Sequence, residues 1–304
     1  MKRAVVTGGA GFIGSHMVRY LIDKGVEVLV IDDLSSGTLD NLPENVSIQK
    51  LSLHTCDVEE LTNLISGYDY VFHMAAFIQI IPSIENPLKY NNINVDGTLK
   101  LLMACRDAKI KKIVYSASSA AYGDTKQLPT LETNEFHPQS PYGLQKLIGE
   151  QYCRVFSEAY GLKSACLRYF NVYGERMSKE VGGAYRLIIP IWEECTIKKM
   201  PLTITNDGEQ SRDFVHAYDV ARANWLAANN DDIINGEAIN IGSGKSTTIN
   251  ELANIWGGEK TYIGSRPETR HMLADITKAK NILDWEPSIN LKEWISNYVK
   301  NIKG

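Results

Sequence analysis

The sequence predicts an α/β fold: a doubly wound parallel sheet with a smaller C-terminal lobe. Three observations carry that expectation. Short β-branched runs alternate with segments of helical period through the first half of the chain. Those runs are apolar almost throughout, as strands covered on both faces must be. After about residue 175 the alternation gives way to shorter, Pro- and Gly-punctuated elements.

The strand-like runs span 4–7, 27–32, 46–50, 70–73, 112–116 and 165–169, and amphipathic stretches at 12–24, 58–65, 94–108 and 142–160 lie between them. Pro190, Pro201 and Asn206-Asp207-Gly208 break up the region beyond residue 175. Residues 288–304 read as a terminal amphipathic helix with Leu291, Trp294, Ile295, Tyr298 and Ile302 on one face. The expected division is a nucleotide domain over 1–174, with part of 213–245 returning to it, and a lobe over 175–304. No repeat or flexible linker separates the two, so one compact unit is expected.

At 304 residues and 44% hydrophobic content the chain can bury a full core. A formal net charge of −4 argues against nucleic acid or an anionic membrane as the main partner. Cys56, Cys105, Cys153, Cys166 and Cys195 are scattered without CxxC spacing, which suggests reduced thiols rather than a disulfide framework or zinc site. Met1-Lys2-Arg3 runs straight into a strand, and no apolar run reaches membrane-spanning length; a soluble cytoplasmic protein is expected. His54, His137 and His216 show no metal spacing, and the five tryptophans read as packing. Gly242-Ser243-Gly244-Lys245-Ser246 resembles the end of a P-loop, but Ile239 stands where that motif needs its first glycine.

The chemistry concentrates at strand ends, where open parallel sheets bind ligands. Thr7-Gly8-Gly9-Ala10-Gly11-Phe12-Ile13-Gly14 follows a strand and opens a helix. Glycines there permit a tight turn and a close approach to a pyrophosphate, which meets the positive end of the helix. Asp32 ends the next strand, 18 residues past Gly14, where a carboxylate accepts from ribose hydroxyls and repels a 2′-phosphate. The pair makes this a Rossmann-type fold with NAD favoured over NADP. Asp57 follows the third strand, where an aspartate can bond adenine. His73-Met74-Ala75-Ala76 ends the fourth with small residues that let the backbone pass beside a dinucleotide.

Tyr142 and Lys146 are four apart at the start of a helix, on one face. A free phenol titrates near ~10, too high for a base at neutral pH. A neighbouring ammonium, together with a bound nicotinamide cation, favours the phenolate. Ser118, just past the fifth strand, is placed to hydrogen-bond the same substrate hydroxyl.

The combination resembles the extended short-chain dehydrogenase/reductase family, in its nucleotide-sugar branch and its UDP-glucose 4-epimerase-like members. Matching stretches include Asn94-Val95-Asp96-Gly97-Thr98, Ser116 to Gly123, Ser140 to Lys146, Leu167 to Gly174, Asp207 to His216, Asn240 to Gly244 and Ala274 to Ala279. The resemblance implies Ser118, Tyr142 and Lys146 as the catalytic set. It extends the NAD site from Gly8, Gly11, Gly14 and Asp32 to Phe12, Ile13, Asp33, Asp57, Val58, Ala75, Ala76, Asn94, Ser116 and Phe170. Asn171, Arg212 and Arg266 are implied to hold the sugar nucleotide, with Glu268 on its ribose. Relatives that eliminate water from the sugar carry an Asp-Glu pair directly after the residue matching Ser118, and those that release carbon dioxide carry a Glu at the second of those positions. Here the pair is Ser119-Ala120, so those chemistries are disfavoured. Reversible oxidation at sugar C4 remains, with no metal and with a homodimer as the usual assembly. The competing readings are a nucleotide-sugar oxidoreductase with net cofactor turnover and a non-catalytic NAD-binding protein. Met272, three before Asp275, matches a position where bulk is associated with restricted access for N-acetylated sugars.

Overall fold

The computed structural model describes residues 1–177, 187–264 and 269–303. Twelve strands and eleven α-helices follow one another in chain order among the described residues. The strands are β1 (Arg3–Thr7), β2 (Glu27–Asp32), β3 (Ser47–Lys50), β4 (Tyr70–His73), β5 (Lys112–Ser118), β6 (Ser164–Tyr169), β7 (Asn171–Tyr173), β8 (Leu202–Thr205), β9 (Ser211–His216), β10 (Asn235–Ile241), β11 (Ser246–Thr248) and β12 (Lys260–Ile263). The helices are α1 (Phe12–Asp23), α2 (Val58–Ile65), α3 (Ile80–Glu85), α4 (Pro87–Asn91), α5 (Thr98–Asp107), α6 (Pro141–Tyr160), α7 (Ile188–Ile197), α8 (Ala217–Asn229), α9 (Ile249–Trp256), α10 (Thr277–Leu283) and α11 (Leu291–Lys303).

Seven parallel strands form the main sheet in the order β10-β6-β5-β4-β1-β2-β3. The chain reverses direction across the sheet between β1 and β4, which makes their carboxyl ends the switch point where such folds bind ligands. The five inner strands each feed two cores, because successive side chains point to opposite faces. Ala4 and Val6 of β1 join the cluster that includes Met17, Leu21, Val220 and Trp285, whereas Val5 joins Leu61, Leu101, Cys153 and Phe156 on the other side. β10 pairs with β6 and closes the sheet from beyond residue 213.

The remaining strands build two small sheets, β11-β9-β7 and β12-β8. With α7, α9 and α11 they enclose a third core around Trp192, Phe214, Leu252, Trp256 and Ile295, against which Phe12 of the glycine turn packs. The terminal helix turns the expected face inward: Leu291, Trp294, Tyr298 and Ile302 all pack on this core.

One expectation needs correction. The helix expected over 94–108 is a π-helical turn, Asn92–Gly97, followed by α5. Between β4 and that turn, the chain also forms the short helices α3 and α4, with Asn86 capping α4 through the Lys89 amide.

Candidate active site

The glycine turn follows β1 at the switch point. Gly8 adopts φ +68°, a conformation that L side chains rarely adopt, and its amide donates to the Ile31 carbonyl at 2.8 Å. A Cβ on Gly8 would lie 2.6 Å from the Ala75 nitrogen, so the turn and the loop after β4 touch backbone to backbone. A Cβ on Gly14 would lie 2.0 Å from the Gly8 oxygen. The first turn of α1 has Gly11 at its cap, no capping side chain and no acid. Its leading amides, at Phe12 and Ile13, therefore face a ready anion site.

Asp32 stands opposite, at the end of β2. Its two carboxylate oxygens accept the amides of Ala10 and Leu34, each at 2.9 Å, and each keeps lone-pair capacity for a ribose hydroxyl. Burial pushes its carboxyl above the usual range against the pull of those amides. Burial also acts on Asp33, but the Ser35 amide and the Ser35 and Ser52 hydroxyls prevail and hold it below its ordinary value. Asp57 is exposed and caps α2 by accepting the Glu60 amide at 2.7 Å, with Val58 half-buried beside it. The cradle, the uncapped helix and the acid together fit a dinucleotide without a 2′-phosphate.

The fourth strand ends in a chain of fixed protons. Thr7 Oγ1 accepts the Met74 and Ala75 amides at 3.2 and 3.3 Å, so its own proton goes to His73 Nδ1 at 2.7 Å. His73 Nε2 then donates to Thr98 Oγ1 at 2.9 Å, and Thr98 donates to the Asn94 carbonyl at 2.7 Å. Burial drives the His73 imidazole down to about 3, which keeps it neutral. Ala75 and Ala76 follow, half-buried. The Asn94 side chain is engaged already: it bonds both the amide and the carbonyl of Phe77 at 2.9 Å and reaches Gln145 at 3.0 Å. It secures the loop beside Ala75 and Ala76.

Strand β5 and helix α6 carry Ser118, Tyr142 and Lys146, the expected catalytic set. Ser140 caps α6 through the Gly143 amide at 3.1 Å, and Pro141 occupies the first turn, where its missing N–H costs nothing. A Cβ on Gly143 would lie 2.6 Å from the Ala120 oxygen, and one on Gly149 would lie 2.2 Å from the Tyr115 hydroxyl. The helix therefore lies directly on the end of β5. Lys146 is buried there, its Nζ donating to the Ser116 carbonyl at 2.8 Å and lying 5.0 Å from the Tyr115 ring centroid. Desolvation brings it down to about 7. Tyr142 is buried one turn earlier; burial raises its phenol, and the Ser118 hydroxyl beside it pulls the other way. Ser116 Oγ bonds the Tyr169 hydroxyl at 3.1 Å, and Asn224 holds that hydroxyl in turn at 2.7 Å.

On the lobe side, Phe170 is buried with Tyr122 and Ala274. Asn171 opens β7, and its buried Oδ1 has no hydrogen-bond partner among the described residues. An orphaned acceptor of this kind calls for a donor from a bound ligand or water. Arg212 lies on β9, two residues from Phe214, which pairs with Asn171 in register; its Nη1 donates to the Ser211 carbonyl at 2.8 Å. Arg266 and Glu268 lie outside the described residues.

Several residues that sequence reasoning passed over support the site. Lys100 donates to the His54 and Cys56 carbonyls at 2.7 and 2.9 Å and fixes the loop before Asp57. Ser83 on α3 accepts the Tyr142 amide at 3.2 Å. Asp213 is buried and accepts from the Ser243, Gly244 and Ala274 amides. That explains the false P-loop signal, because the glycine-rich turn at 242–244 binds an internal carboxylate. The amphipathic pattern hid Lys100 as a surface helix residue, and only its sequence neighbourhood, Asp96-Gly97-Thr98, marked it.

The sequence model described as the NAD dependent epimerase/dehydratase family matches residues 4–242. A UDP-glucose 4-epimerase of Mycolicibacterium smegmatis is 32% identical and covers 98% of this chain and 97% of its own length. Among solved structures, a UDP-N-acetylglucosamine 4-epimerase from Methanobrevibacter ruminantium, in complex with UDP-N-acetylmuramic acid, is 40% identical with a TM-score of 0.91. The UDP-glucose 4-epimerase of Thermotoga maritima with UDP-glucose is 37% identical, again with a TM-score of 0.91. Each of these two alignments covers 98% of this chain and 97% of the other. By its sequence, its seven-stranded sheet and its glycine turn, the chain belongs to the NAD dependent epimerase/dehydratase family.

Proposed function

We propose that this protein is an NAD-dependent nucleotide-sugar 4-epimerase acting on a UDP-hexose. The observation that carries the reading is the meeting of Ser118, Tyr142 and Lys146 at the end of β5, beside the dinucleotide cradle. Relatives that act on UDP-glucose and UDP-N-acetylglucosamine at this level of similarity support the substrate class.

In this reading Gly8, Gly11, Phe12, Ile13 and Gly14 hold the pyrophosphate of NAD. Asp32 and Asp33 take its adenosine side with Asp57 and Val58, and Ala75, Ala76, Asn94, Ser116 and Phe170 flank its nicotinamide half. Bound NAD supplies the acceptor of a hydride from sugar C4 and then its donor on the opposite face of the 4-keto sugar. Tyr142, as phenolate, takes the C4 hydroxyl proton and later returns it. Ser118 hydrogen-bonds the same oxygen, and the Lys146 ammonium stabilises the phenolate. Asn171 and Arg212 bind the sugar nucleotide, joined by Arg266 and Glu268; an arginine fork suits a diphosphate. Ser119 and Ala120 offer no acid for elimination, which favours epimerisation over dehydration.

The proposed assembly is a homodimer through α5 and α6. Leu101, Leu102 and Phe156 on these helices are buried in the monomer core. Val155 at 49% and Tyr160 at 53% exposure remain on the outer face of α6. The expected molecular mass by light scattering is twice that of the chain. Five free, buried cysteines support a reducing, cytoplasmic setting, and no helix among the described residues is long and apolar enough to cross a membrane.

Purified enzyme mixed with UDP-galactose, UDP-glucose or UDP-N-acetylglucosamine, with no added cofactor, tests the reading by proton NMR. Conversion to the 4-epimer without net NADH production supports it. Unchanged sugars despite tightly bound NAD would sink it, and steady cofactor turnover would favour a net oxidoreductase.

A further inference from the structure

Beneath the Ser118 turn lies a buried polar chain that the proposed chemistry does not use. Ser118 ends β5 and caps the short turn Ser119–Ala121, its Oγ accepting the Ala120 amide at 3.2 Å. Tyr122 closes that turn, its amide donating to the Ser119 carbonyl at 3.0 Å. Its ring is buried and stacks on Phe136, with centroids 5.8 Å apart and planes 24° apart. Its hydroxyl accepts from Arg168 Nη1 at 2.5 Å and donates to Asn240 Oδ1 at 2.7 Å.

Arg168 is anchored in turn by Glu150, in a bidentate pair at 2.8 and 2.6 Å. Glu150 lies on α6, four residues beyond Lys146 and eight beyond Tyr142, on the same helical face. The chain therefore runs from the helix that carries the base, through β6, to the turn that carries Ser118. Its far end reaches the lobe, since Asn240 Nδ2 donates to the Thr130 carbonyl at 2.9 Å and Thr130 bridges to Ala274. A buried ion pair between otherwise apolar layers is rarely the most stable filling of that volume. What it provides here is a fixed geometry.

We propose that Tyr122 is a positioning residue for the reaction. Its hydroxyl, clamped by Arg168 and Asn240, holds the Ser118 turn in register with Tyr142 on α6. The proposal rests on the assignment of Ser118 and Tyr142 to the proton transfer. The contact it protects is tight, because Ala120 and Gly143 meet backbone to backbone. Displacement of a reacting group by about 1 Å costs on the order of 100-fold in rate.

A double-mutant cycle on the NAD-bound enzyme tests it. Tyr122→Phe keeps the stack on Phe136 and removes only the hydroxyl. The expected result is a fall in kcat of roughly 10-fold or more, with KM and retained NAD within about twofold. In a Ser118→Ala background the same change is expected to cost nothing further, because the residue acts through Ser118. A purely structural role would lower folded yield and melting temperature and give additive losses. The proposal is overturned if Tyr122→Phe turns over at the parental rate, or if its loss recurs in full without Ser118. If Ser118→Ala itself keeps full turnover, the catalytic assignment falls and this proposal with it; if only Tyr122→Phe keeps it, the positioning role alone falls. Should Tyr122→Phe fail to fold, Asn240→Ser removes the same hydroxyl's acceptor and the cycle is repeated with it under the same criteria.

Discussion

Lys146 Nζ donates to the Ser116 carbonyl at 2.8 Å, fixing α6 to the carboxyl-terminal half of β5. The lysine is buried among apolar and aromatic neighbours, and that burial brings it from an ordinary 10.5 down to about 7. Between those two values the unfolded chain binds more protons than the folded one, so stability rises with pH from about 7 to 10.5 by up to about 1.4 kcal/mol per unit. Below pH 7 the cost of burying the cation is present in full.

Lys146→Met removes that cost. The apo variant is expected to melt several degrees higher at pH 7 and to lose the stability rise between pH 7 and 10, as read by thermal unfolding across pH. Its kcat is expected to fall by ~100-fold or more, because the Tyr142 phenolate loses its cation. A variant with unchanged melting behaviour and unchanged pH dependence would contradict this role for Lys146.

At the glycine turn, Gly14→Ala places a methyl group 2.0 Å from the Gly8 oxygen and 2.8 Å from the Gly9 Cα. Both are backbone atoms, so the turn itself must open. Retained NAD is expected to drop by at least ~10-fold, measured by release and absorbance after denaturation, because the amide cradle is lost. Gly161→Ala is the control. Its φ of +70° costs an alanine about 1 to 2 kcal/mol, but open space surrounds it, so NAD retention should not change. Equal NAD loss in both variants would contradict a specific cradle.

His73 gives an acid-side prediction. Burial lowers its imidazole from 6.5 to about 3, and burial lowers His16 to about 4. Below pH 6.5 the unfolded chain takes up protons that the folded chain refuses, so each group removes stability as pH falls. Denaturant titrations at pH 7, 6 and 5 should show the decline. His73→Gln should flatten it by up to about 1.4 kcal/mol per pH unit below 6.5. Parallel declines in the parent and the variant would contradict the buried, neutral assignment.

The parts of the fold legible in the sequence are those where one residue answers one local demand. Gly8 and Gly14 could be read because no side chain fits where they stand, and Asp32 because it ends an apolar strand at a fixed distance from them. Tyr142 and Lys146 share a helical face by spacing alone. What stayed hidden depends on partners far away in the chain. Lys100 reaches the carbonyls of residues 54 and 56, Asp213 reaches the 242–244 turn, and Arg168 meets Glu150 and Tyr122. Helix α3 escaped notice because its Ile80 and Ile84 remain exposed and give no inward apolar face to recognise. Leu101 and Leu102 are buried in a core of their own chain, together with Leu61 of α2 and Cys153 and Phe156 of α6.

In the proposed reaction the C4 hydrogen would leave as hydride to bound NAD, and the same hydrogen would return to C4. NMR of UDP-galactose conversion in deuterium oxide, with no NAD added, tests it most directly. The predicted result is epimerisation to UDP-glucose with protium retained at C4 and at its neighbouring carbons, and loss of that conversion in Tyr142→Phe. Deuterium at C3, C4 or C5 of the product, or full turnover in Tyr142→Phe, would contradict it.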